Sequence, residues 1–210
     1  MTEKSVVSAE AYQAIYRPPP RVMTSEEMLE HQLSCFVAHG FAKREDADPF
    51  WKRLENSRLL FVPKKPAHFD LAALMAMIEL AGKRGTNYLN VQSLKDLIEV
   101  PETPYLMTAV EDGGGRLNTN PSVSREAILA EKRSPFVTFE GIAFGIVLPV
   151  VLTHHNLDLV GSQYDAKGVP SLGRCGDRPR LDVRPALSSC GGGSANPEWG
   201  APSCGSRLVA

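Results

Sequence analysis

A thiol, a pair of imidazoles and a run of guanidinium groups are the side chains of this sequence whose spacing could support chemistry. Cys204 stands in the stretch Ala201, Pro202, Ser203, Cys204, Gly205, Ser206, Arg207, so a cation follows three residues after the sulfur. A positive charge beside a thiol favours the thiolate, the nucleophilic form. His154 and His155 offer an imidazole that could act as base, so a cysteine-dependent enzyme is one class to weigh. Neither Cys204 with Arg207 nor Cys175 with Arg180 has the separation of a cysteine-phosphatase loop. The plain alternative is that Cys204 is a small buried apolar side chain near the end of the chain.

His154, His155, Cys175, Cys190 and Cys204 share one segment, and zinc prefers these ligand types. Their spacing argues against a metal. Structural zinc sites draw ligands in close pairs, whereas these cysteines stand far apart, and adjacent histidines on a helix diverge by about 100°. No metal and no cofactor are expected. Phosphate-loop, dinucleotide and nucleophile-elbow signatures also fail on spacing.

Arg174, Arg178, Arg180 and Arg184 form the densest charged group, on two short strands expected at 169–174 and 180–184. Strand alternation puts Arg180, Asp182 and Arg184 on one face, where guanidinium groups could take phosphate or carboxylate in bidentate fashion. Asp177 and Asp182 would neutralise part of that charge, and the sequence suggests no cluster of exposed aromatics beside it to stack bases. Trp199 and Arg207 complete the candidate binding residues.

The stretch Asn196, Pro197, Glu198, Trp199, Gly200, the following Ser203 to Arg207, and the earlier Gly141 to Val147 resemble a family of uncharacterised bacterial proteins. The resemblance covers the C-terminal third and implies no activity, cofactor or catalytic residue.

The elements that must position these groups follow from periodicity and capping. Thr24 or Ser25 can cap a helix whose stripe is Met28, Leu29, Leu33, Phe36 and Val37, with Gly40 as its stop. A second helix is expected over 48–56, a buried strand over 58–62, and a helix over 70–81 capped by Asp70 and ended by Gly82. A short helix over 93–98, a strand over 105–110 and a helix begun by Ser122 or Ser124 come next. Thr138 is expected to cap a helix that is apolar all round and therefore central, although Gly141 and Gly145 weaken it. Beyond His154 the texture turns to glycine, proline, serine and arginine. Residues 1–23, with Pro18 to Pro20, read as an extended arm.

These pieces assemble into an α+β fold: a helical N-terminal half packed with a short-stranded, loop-rich C-terminal part from about 154, one domain over 24–210. The length of 210 residues and the 43% apolar and 22% charged content suit one sizeable core. With 23 basic and 24 acidic side chains the net charge is −1, so no global field draws the protein to nucleic acid or anionic lipid. The apolar run 142–152 is too short to span a bilayer and is broken by Pro149. No secretory pattern opens the sequence, which predicts a cytoplasmic, soluble protein with reduced thiols. The functional expectation is a non-enzymatic module that binds a partner or small ligand through its C-terminal region. The alternatives are the cysteine-dependent enzyme and a phosphate or nucleic-acid binder working through the arginine hairpin.

Overall fold

Helix α1, Ser25–Ala38, begins at a reciprocal cap: the Glu27 amide donates to Thr24 Oγ1 at 3.2 Å, and the Thr24 amide donates to Glu27 Oε2 at 3.0 Å. The computed structural model in which these contacts occur describes residues 23–54, 58–67, 70–166, 168–185 and 195–210. The expected N-terminal arm lies outside the described residues apart from Met23. Leu29, Leu33 and Phe36 turn the apolar stripe of α1 inward. The buried Gln32 fastens the helix to strand β1, Leu60–Val62: its Nε2 donates to the Leu59 carbonyl at 2.8 Å and its Oε1 accepts from the Phe61 amide at 2.6 Å.

Several expected helices are shorter or absent. In place of the helix expected over 48–56 the chain makes a single 3-10 turn, Trp51–Arg53, which follows another at Arg44–Ala47; residues 55–57 lie outside the described set. The helix capped by Asp70 stops as α2, Leu71–Met75, because the chain next folds into a hairpin of β2, Glu79–Leu80, and β3, Lys83–Arg84. Ala81 and Gly82, both at positive φ, form its turn, so the glycine that looked like a helix stop is a hairpin residue. Over 93–98 a 3-10 turn, Val91–Ser93, leads into β5, Leu94–Asp96, which pairs antiparallel with β9, Ser162–Tyr164. Strands therefore occur in both halves, and the fold combines helices with sheets throughout.

A three-stranded sheet carries β1, β6 (Tyr105–Thr108) and β14 (Ser206–Val209), all antiparallel. A larger sheet runs in the order β12 (Trp199–Gly200), β8 (Asn156–Asp158), β10 (Gly168–Cys175), β11 (Arg178–Pro185) and β4 (Thr86–Asn87), with β9 joined to β10. A small pair joins β7, Ser134–Pro135, to β13, Ser203–Cys204. Helix α3, Pro121–Ala130, is capped by Asn120, whose Oδ1 accepts from the Ser122 amide at 2.9 Å; the start falls upstream of Ser122 because Pro121 takes the first helical position.

Helix α4, Thr138–Val147, is buried at every residue. Thr138 is its first residue instead of its cap; its amide donates to Ser162 Oγ at 2.8 Å. Gly141 and Gly145 share one side of the helix and permit close approach to the strands and loops beneath. A β-carbon at 141 would meet Leu159 at 2.2 Å, and one at 145 would meet Ile78 at 2.8 Å and Leu172 at 3.0 Å. The glycines that lower helix propensity are thus the ones the packing requires. One apolar cluster joins Leu29, Phe61, Ile78, Met107, Ile142, Leu172, Leu181 and Cys204. Among the described residues no helix is long and apolar enough to cross a membrane.

Candidate functional site

The hairpin of β10 and β11 matches the expected strands and turns at Gly176 and Asp177. Its register separates two faces. Leu172 lies opposite both Leu157 of β8 and Leu181 of β11, and all three are fully buried against the core. The alternate residues form the other face: Asp158, Ser171 and Asp182 stand in one row across three strands, and Gly173 faces Arg180 in the next. Trp199 aligns with Asn156 on the neighbouring edge.

Gly173 gives this face its depression. A β-carbon there would lie 2.3 Å from Asn156 Oδ1, an atom that accepts from the Arg174 amide at 3.0 Å. The resulting open cavity of about 210 Å³ is walled by Ser171, Arg174, Cys175, Arg180, Asp182 and Trp199. Arg180 pairs with Asp182, and its guanidinium carbon sits 4.5 Å from the centre of the Tyr88 ring. Arg184 pairs with Asp158 and sits 5.2 Å from the centre of the Trp199 ring. Two stacked arginine–aromatic pairs therefore belong to this face. Tyr88 is 62% exposed, a single exposed aromatic beside the arginines where the sequence suggests no cluster of them. It arrives because β4 pairs in parallel with β11, a contact between segments far apart in sequence.

Charge on the face is partly compensated. Asp182 does so as expected; Asp177 instead pairs with Lys83 at 2.6 Å. Asp158, 1% exposed, was not among the expected partners, and burial pushes its carboxyl up to about 7 against the pull of Arg184. Among the described residues neither Arg174 nor Arg178 has an ion-pair partner, and both side chains are exposed.

The remaining candidate residues lie elsewhere. Arg207, on β14, grips the fully buried Glu140 of α4: Nε donates to Oε1 at 2.6 Å and Nη2 to Oε2 at 2.8 Å. Its other hydrogen bonds go to Ser134 Oγ and the Pro135 carbonyl. Tyr105 donates to Glu140 Oε1 at 2.7 Å, and burial with the nearby carboxylate pushes its hydroxyl upward. Cys204 is completely buried, and burial pushes its thiol up to about 11 although Arg207 pulls the other way. The charged groups acting on that thiol are Arg207, Glu140 and Arg133. His155 is buried, and its Nε2–H donates to the Asp112 carbonyl at 2.9 Å, which ties the 112–116 turn to the start of β8. His154 is half-buried; burial and the adjacent His155 hold its imidazole below the ordinary value. Cys190 lies outside the described residues. Among the described residues no group of three or more His, Cys, Asp or Glu side chains is placed to hold a metal ion.

Sequence reading missed Tyr88, Asp158 and Gly173 as parts of the face. Gly173 carried a usable signal, since a glycine inside an alternating strand marks close approach. No curated protein and no solved structure matches the chain. A family model does match residues 23–206, and the protein belongs to that family, a family of unknown function designated DUF5701.

Proposed function

We propose that the polar face of the large sheet binds a small anion bearing phosphate or carboxylate, and that the protein is a non-enzymatic binding module folded as one domain. The observation that carries the reading is the cavity above Gly173, where Arg174 and Arg180 converge beside Trp199. Guanidinium groups pair with planar or tetrahedral oxyanions through paired N–H donors. Arg180 is held by Tyr88 and Asp182, so it loses little conformational freedom when a ligand arrives. The proposed setting for the thiols is reducing and cytoplasmic.

Calorimetric titration with inorganic pyrophosphate and with citrate tests the reading. Affinity for at least one should fall as salt rises, because exposed charges are screened. Arg180→Ala and Arg174→Ala should each weaken it. Absence of binding at low salt, or binding indifferent to both substitutions, removes the proposal. A single-stranded oligonucleotide that binds far more tightly than either small anion would move the assignment to nucleic acid, with Tyr88 as the stacking surface.

A further inference from the structure

A second cavity, separate from the hairpin face, lies where α1, the lead into β1, the turn after β6 and the end of α4 meet. Its volume is about 480 Å³, within the range of roughly 300–1,000 Å³ typical of small-molecule sites. Met28, Leu59, Phe144 and Val147 supply most of the floor. The polar groups of the lining divide into those already engaged and those that are not. Gln32 spends its amide on β1, and His31 Nε2 lies 3.9 Å from Cys35 Sγ. Arg58 and Asp112 form no ion pair with each other or with any described residue. Asp112 uses one carboxylate oxygen to accept from the Gly114 amide at 2.8 Å.

Among the described residues, a cation and an anion without ion-pair partners thus border one apolar cavity. A simple carboxylate would be drawn by Arg58 and repelled by Asp112, and an amine would meet the reverse. A zwitterion satisfies both, and the apolar floor asks for a bulky apolar body. We infer that this cavity takes a free α-amino acid with a large apolar side chain, its carboxylate at Arg58, its ammonium at Asp112 and its side chain over Phe144 and Val147. The site is independent of the anion site proposed for the sheet.

Calorimetry on the full chain with L-phenylalanine, phenylalaninamide and 3-phenylpropionate tests this directly. L-phenylalanine should bind, and each analogue, lacking one charge, should bind at least about tenfold more weakly, the scale of a charge-assisted hydrogen bond. Arg58→Gln should abolish the preference over the amide. Asp112→Asn, which keeps an acceptor for Gly114, should abolish the preference over 3-phenylpropionate. Val147→Trp, which fills the floor, should eliminate binding of all three; if that variant does not fold, the two rim substitutions still decide. No binding of L-phenylalanine, equal binding of the analogues, or preferences that survive the rim substitutions would overturn the inference.

Discussion

Replacing Arg207 with methionine removes the cation from a carboxylate that has no access to water. Glu140 is 0% exposed, and Arg207 gives it two N–H donors at 2.6 and 2.8 Å. Tyr105 and the Val137 amide would remain, at 2.7 and 2.9 Å, but neither carries charge. Removing one partner of a buried pair costs about 3–5 kcal/mol, because the other charge stays desolvated. The Ser134 hydroxyl and the Pro135 carbonyl also lose their donors. Arg207→Met should therefore lower unfolding free energy by about 3–5 kcal/mol in urea titrations followed by tryptophan fluorescence, a large share of what a domain possesses. The double variant Glu140→Gln with Arg207→Met removes both charges and retains a side chain that can still bond Tyr105 or Val137. It should lie within about 2 kcal/mol of the unaltered protein. A loss under about 1 kcal/mol in the single variant, or a double variant no more stable than the single, would refute the assignment of Arg207 as the structural partner of Glu140.

Gly141→Ala should destabilise by about 1–3 kcal/mol despite better helix propensity, because the new carbon would lie 2.2 Å from Leu159; a gain in melting temperature would contradict that packing. The folded protein holds the Asp158 proton up to about pH 7, against 3.8 ordinarily, so this group's contribution to stability is complete below about pH 4 and is lost as pH rises through 7. Asp158→Asn cannot titrate, so its stability relative to the unaltered protein should improve over that window by about 1.4 kcal/mol for each unit of the shift; a pH-independent difference would rule this out. Alkylation mapped by mass spectrometry should modify exposed Cys175 first, half-buried Cys35 more slowly, and Cys204 only on unfolding. Fast native-state modification of Cys204 would restore the nucleophile reading.

The features legible in the sequence were those fixed by near neighbours. The cap at Thr24 or Ser25, the alternation through Arg180, Asp182 and Arg184, and the uniformly apolar stretch of α4 each declare their structure within a few residues. What escaped depended on distant pairings. Leu94 to Asp96 looks helical until β9 offers it a partner, and the stripe through Leu71, Leu74, Met75 and Ile78 is buried as helical spacing requires although the helix ends midway. Arg207 beside Cys204 suggested thiolate chemistry. The fold turns that guanidinium toward Glu140 on α4, and burial of the sulfur outweighs the cation. Similarly, Tyr88 and Asp158 join the arginine face through strand pairings that no local pattern encodes.

Backbone and indole N–H resonances followed by two-dimensional NMR during titration with inorganic pyrophosphate test the binding face most directly. Binding in the cavity above Gly173 should shift the amides of Gly173, Arg174, Cys175 and Arg180 together with the Trp199 indole, saturate along one curve, and leave the amides of buried Leu172 and Leu181 less affected. Shifts that are absent, that scatter over unrelated lysines and arginines, or that persist unchanged in Arg180→Ala would contradict a binding site on this face.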